Sequence, residues 1–101
     1  MKFVNVTVVR VYLTEGEGQV DNLLKRLHDW EKVRGVTVFR GIQGFGEHGT
    51  MHPAGMIDLS MNLPVVIEFF DEPDKVEKIL QHMSDQIKPG HVVRWSAEVN
   101  A

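Results

Sequence analysis

The segment FVNVTVVRVYL, residues 3–13, constrains the fold more than any other part of the chain. Its β-branched residues favour a strand. Val4, Val6 and Val8 point one way, and Val9, Val11 and Leu13 the other. A strand apolar on both faces belongs in the middle of a sheet covered on both sides. The glycines of EGEG at 15–18 end it.

From Gln19 to Arg34, the residues Val20, Leu23, Leu24, Leu27, Trp30 and Val33 recur at helical intervals, which predicts a helix with one apolar stripe. Lys32 and Arg34 suit its negative end, and Gly35 is the natural left-handed terminator. VTVFRGI at 36–42 and PVVIEFF at 64–70 read as two further strands. Pro73 fits the first turn of a second helix, whose stripe runs through Val76, Ile79, Leu80, Met83 and Ile87 until Pro89 and Gly90 stop it. HVVRWSAEV at 91–99 alternates as a fourth strand. The order β-α-β-β-α-β is the ferredoxin-like split unit, an α+β fold. All 101 residues make one domain. In this topology both helices cover one sheet face. Apolar residues pointing both ways on the first and third strands therefore predict that a second copy of the chain covers the other.

Composition narrows the classes of function. Hydrophobic residues at 43% and charged residues at 25% are those of a globular chain. There is no cysteine, so disulfides, thiolate metal sites and cysteine nucleophiles are excluded. A formal charge of −3 gives no general attraction to nucleic acid, so nucleic acid is not an expected partner and any anion site is local. The N-terminus lacks the pattern of a signal peptide, and no apolar run approaches the ~18 residues of a membrane span. A cytoplasmic location is the expectation.

About 20 residues without a clear period, Gln43 to Leu63, separate the second and third strands, and loops of that length are usually functional or disordered. The end of the second strand runs into them through GIQGFGEHG, residues 41–49, with four glycines in nine residues. Glycines let backbone amides converge on an anion. The spacing is neither a dinucleotide fingerprint nor a phosphate loop, because no helix follows and the lysine and hydroxyl pair is missing. The plainer reading is a flexible turn with Phe45 in the core, and chemistry alone leans towards it.

The segment GVTVFRGIQGFGEHG (35–49) resembles the strand and loop base of PII-type signalling proteins. MIDLSMNLPVVIEFF (56–70) resembles the DLS…LPVVIE motif of the PII-like domain of unknown function family 190. The resemblance spans nearly the whole chain. It implies a regulatory protein rather than an enzyme: a homotrimer of ferredoxin-like subunits with an adenine nucleotide in the clefts between them. The loop 43–62 would contact a partner, with a membrane channel or transporter as the kind of partner implied. Thr37 would lie beside the nucleotide, Gly44 and Gly46 would offer amides to phosphates, and Glu68 would stand near the base or ribose. Arg40, Gly41, Gln43, Phe45 and Glu47 complete the loop base.

This chain departs from PII proteins in three ways. Of the glycine-rich, lysine-bearing loop before the last strand only IKPGH (87–91) remains, so Lys88, Gly90 and Arg94 are the substitutes. The arginine pair after the fourth strand has no counterpart before Ala101. Glu47 places a carboxylate where a triphosphate needs positive charge, at a cost on the order of 1 kcal/mol or more. The expected ligand therefore carries few phosphates: AMP, ADP or a cyclic nucleotide rather than ATP. No cofactor is otherwise required.

Two alternatives stay open. One is a ligand-free trimeric scaffold. The other is a metal-binding protein like the related CutA family, with His48 and His52 as ligands and Met51, Met56 and Met61 as soft donors suited to Cu(I). Against the metal, Gly49, Pro53 and Gly55 oppose the helix that would align the two histidines. An enzyme reading would use His48 with Glu47, or Asp58 with Ser60, but nothing fixes their geometry. Trp30 and Trp95 are expected in the core or an interface, and His28, His82 and His91 at the surface. Arg10 and Arg40, inside apolar strands, need carboxylate partners, for which Glu68 and Glu98 are the candidates.

Overall fold

The computed structural model describes residues 1–45 and 63–101. Within them the chain forms β1 (Phe3–Thr14), a 3-10 turn (Glu15–Glu17), α1 (Gln19–Asp29), β2 (Val36–Arg40), β3 (Pro64–Asp71), α2 (Pro73–His82) and β4 (Val92–Asn100). The strands form one antiparallel sheet in the order β2-β3-β1-β4. This is the α+β, ferredoxin-like arrangement that the periodicity predicts, with β1 central.

Register explains why β1 is apolar on both faces. Val9 and Val11 lie on the side of Phe69, Ile67 and Val65, where α1 contributes Leu23 and Leu27 and α2 contributes Val76 and Ile79, with Met83 just beyond it. These buried side chains are the core. Val8, Arg10 and Tyr12 share the opposite face with Thr37, Phe39, Val66, Glu68, Phe70, Val93 and Trp95. Among the described residues, no helix covers this second face. Phe39 is 46% exposed there and Trp95 41%.

Several boundaries differ from the sequence reading. α1 ends at Asp29 rather than near Arg34. The Trp30 and Glu31 amides both donate to the Arg26 carbonyl, and Val33 N–H turns back to Leu27. Glu31 is held there by Arg26 and His82, 3.4 and 3.2 Å away. The left-handed residue is then Lys32 (φ 52°), not Gly35. A side chain there costs roughly 1–2 kcal/mol, and a hydrogen bond from Lys75 Nζ to the Lys32 carbonyl (2.8 Å) helps to offset it. Leaving the helix early carries Trp30 out of the core stripe, 78% exposed.

α2 stops at His82, and Ile87 belongs to the turn that follows, so the apolar spacing overran the helix there too. β2 ends at Arg40, two residues short of Ile42, which is exposed.

One buried carboxylate ties the end of β3 to the start of α2 and to the segment that leads into β2. Asp71 closes β3, accepting from the Glu72 amide (2.9 Å) and the Arg34 amide (3.3 Å), with Lys75 Nζ at 3.0 Å. Burial pushes its carboxyl up, but those three partners together outweigh burial and hold it below the ordinary carboxylate range.

Candidate functional site

Apart from Arg94, the described residues singled out by sequence fall into three groups. Along the sheet, β1 ends, β2 ends, β3 begins and β4 begins at the same pole, because every pairing is antiparallel. Arg40, Gly41, Gln43, Gly44 and Phe45 leave that pole from the β2 edge. Lys88 and Gly90 approach it at the β4 edge, where Gly90 takes a left-handed turn (φ 87°). Two strands lie between these edges. At ~4.8 Å per strand spacing, about 14 Å separates the two groups within one chain. Thr37 and Glu68 form the third group, side by side in register on the helix-free face. Gly46, Glu47, His48 and His52 lie outside the described residues.

The glycines at the loop base have a concrete reason. The Gly41 amide donates to the Pro64 carbonyl at 2.7 Å. A Cβ on Gly41 would sit 2.6 Å from Pro64 Cγ and 3.2 Å from Pro64 O, and one on Gly44 would sit 3.1 Å from Pro64 Cγ. Neither has positive φ. These two glycines let the departing chain press against the proline that opens β3, a close approach rather than a left-handed turn. Phe45 is not in the core, as the plainer sequence reading expected; it is 68% exposed.

Among the described residues, the charged members of the set are engaged except for Lys88. Arg10 donates to Glu68 across the β1–β3 pair at 2.7 Å, and its guanidinium lies 5.5 Å from the Trp95 ring centroid and 5.9 Å from that of Phe39. The hydrogen bond from Arg10 to Glu68, then the one with Tyr12, raises the pKa of this already strong base. Glu68, expected near a base or ribose, therefore already holds a cation. Arg40 pairs with Glu15, not with Glu68 or Glu98. Arg94 shares the helix-covered side with Val9 and donates to Glu77 of α2 at 2.6 Å. Among the described residues, Lys88 is the one cation of the set without a carboxylate partner. The described residues of the pole thus present little net positive charge, and among them an anion would rely on backbone amides and Lys88.

Sequence reasoning missed Glu15 and the residues of a nearby cleft. Glu15 lies in the EGEG run, whose glycines signal only the end of a strand. The available signal was positional: an acid just past the end of β1 lies at the same pole as an arginine ending β2. A cleft of about 300 Å³ opens between α1 and the α2–β4 turn, lined by Leu13, Gln19, Asn22, Leu23, Gln86 and Ile87. None of these belongs to the predicted set, although Ile87 precedes Lys88. The described residues contain no cluster of three or more metal-ligating side chains. Among them, no helix is long and apolar enough to cross a membrane.

Comparison with known proteins agrees with this architecture. The chain is 32% identical over 93 residues to the UPF0166 protein MJ1524 of Methanocaldococcus jannaschii, covering 84% of this chain and 82% of that protein. Among solved structures it superposes on CPII from Thiomonas intermedia K12 bound to ADP and bicarbonate, with TM-score 0.73 at 18% identity, over 99% of this chain and 93% of that one. The same protein, a nitrogen regulatory PII-like protein, bound to ADP, AMP and bicarbonate gives 0.70 at 20% identity, over 99% and 100%. The fold is therefore PII-like. The model of domain of unknown function 190, described as "Uncharacterized ACR", matches residues 6–99, and the chain belongs to that family.

Proposed function

We propose that this protein is a PII-like regulator that assembles as a homotrimer and binds an adenine nucleotide of low charge, AMP or ADP, between subunits. The division of the candidate site carries this reading. Its two halves leave the same pole of the sheet from opposite edges, so a ligand held by both Gly41–Phe45 and Lys88–Gly90 would take them from different chains. The helix-free face, with Phe39, Trp95, Val93 and Tyr12 exposed, supplies an apolar surface for such an assembly. The neighbouring CPII structures contain ADP and AMP, which supports the choice of ligand class. The fold is that of signalling proteins, and the reading assigns the chain no catalytic step.

In this account ligand binding at the loop base favours one arrangement of the loop 43–62, which then engages or releases a partner. A membrane channel or transporter is the kind proposed. Such a switch needs different ligand affinities for the two arrangements. Calorimetric titration with AMP, ADP, ATP and cyclic AMP tests it: saturable binding near one site per chain is expected, and silence from all four would refute it.

One observation favours a second reading. Arg10 occupies Glu68, and Arg40 and Arg94 are paired with Glu15 and Glu77, as expected of a ligand-free trimeric scaffold. Under that reading the protein is trimeric but silent in the nucleotide titrations.

A further inference from the structure

Glu15 sits where the loop base begins. Thr14 ends β1 opposite Pro64, and Arg40 ends β2 opposite Val65. The Glu15 amide donates to the Leu63 carbonyl (3.0 Å) and the Gly41 amide to the Pro64 carbonyl (2.7 Å), so the three strand ends are laced together through backbone. Over this lacing Arg40 Nη2 donates to Glu15 Oε1, spanning β3. The Arg40 side chain is 61% exposed and that of Glu15 only 22%. The second oxygen, Oε2, is buried and has no hydrogen-bond partner among the described residues.

A carboxylate in that position depends on Arg40. If the arginine turned outward to a ligand, Oε1 would lose its partner too, leaving a largely buried carboxylate with no hydrogen bond to any described residue, which is a costly state. Arg40 is thus tied to Glu15, and its charge is offset for any anion approaching Gly41–Phe45. We propose that Glu15 withholds Arg40 from anionic ligands at this pole and so sets the site's preference for ligands of low charge. The proposal rests on the nucleotide reading above and names its specificity-determining residue. An anion beside the loop base meets a paired Arg40 and Glu15, close to neutral together. Neutralising Glu15 leaves a whole positive charge, whose attraction grows with each charge on the ligand.

The test compares the full-length protein with Glu15→Gln, Arg40→Met and the double variant, titrated with AMP, ADP and ATP. Glu15→Leu serves where the buried amide is not tolerated, and melting curves confirm folding. In parallel, the rate at which phenylglyoxal modifies Arg40 is followed by peptide mass spectrometry. Glu15→Gln is expected to tighten ADP about tenfold, a change of 1.4 kcal/mol, with the gain rising from AMP to ADP to ATP. The gain should vanish in the double variant, and Arg40 should react several-fold faster in Glu15→Gln. Equal changes for all three nucleotides, a gain that survives Arg40→Met, or unchanged Arg40 reactivity would overturn the proposal. If neither wild type nor variant binds any nucleotide, the nucleotide reading fails, and Arg40 reactivity alone then decides whether Glu15 withholds the arginine.

Discussion

Replacing Gly41 by alanine tests the packing at the loop base. The new methyl would lie 2.6 Å from Pro64 Cγ and 3.2 Å from Pro64 O. Carbon atoms rest at about 3.5–4.0 Å, so the first contact is about 1 Å too close. The obstruction is a proline ring with no flexible end to swing aside. The Gly41 backbone cannot retreat without losing its 2.7 Å hydrogen bond to the Pro64 carbonyl. Forced methyl groups of this kind cost roughly 1–3 kcal/mol. With an unfolding entropy of ~2.1 cal/mol/K per residue, about 2 kcal/mol corresponds to a fall of roughly 10 °C in Tm for a chain of this length. Gly44→Ala, whose methyl would meet Pro64 Cγ at 3.1 Å, should cost clearly less, about 1 kcal/mol or below. Pro64→Ala removes the Cγ, so the double variant Gly41→Ala/Pro64→Ala should lose less stability than the two single changes add up to, with a coupling of about 1 kcal/mol. The assay is thermal and urea unfolding without ligand at one fixed protein concentration, since assembly makes Tm concentration-dependent. Equal, negligible losses for Gly41→Ala and Gly44→Ala would refute the close-approach argument and return these glycines to a role seen only with ligand bound.

Asp71→Asn should destabilise the protein by about 2 kcal/mol at neutral pH, because it removes the charge from hydrogen bonds to two amides and Lys75. Since the folded carboxyl is held below its unfolded value, that contribution is complete above the unfolded pKa and is lost as pH falls through the folded one; urea unfolding of wild type and variant should therefore converge in acid. A gap that persists at low pH would contradict the assignment. Glu68→Gln should cost little stability in an isolated chain, where the Arg10 pair is partly exposed, but should break the proposed trimer if neighbouring subunits bury Arg10 without its partner. Sedimentation of the variant separates these outcomes. Trp95→Ser should likewise dissociate the proposed trimer, whereas Trp30→Ser, at 78% exposure on the helical side, should leave both mass and Tm unchanged in the same experiments.

The order of elements was legible because β1 and β3 declare their faces locally: alternation in FVNVTVVRVYL and PVVIEFF already separates Val9, Val11, Ile67 and Phe69 from Val8, Arg10, Glu68 and Phe70. The Arg10–Glu68 pair was legible for the same reason, since an arginine in an apolar strand calls for a carboxylate and few were near. The end of α1 was not. Val33 continues the helical spacing, and only tertiary contacts from Lys75 and His82 to residues 31–32 reveal the earlier exit. The glycines at 41 and 44 carry their reason in Pro64, at least twenty residues further on, so a local reading could see freedom but not contact. Arg40 found Glu15 across an intervening strand, a pairing that requires the register of three strands at once.

Sedimentation equilibrium of the wild-type protein, with and without saturating ADP and read together with calorimetry, tests the central claim most directly. The account predicts a mass of three chains and about one ADP per chain, with binding abolished in any variant that sediments as a monomer. A monomer that binds ADP with full affinity would contradict it, because one chain keeps the two halves of the site on opposite edges of its sheet.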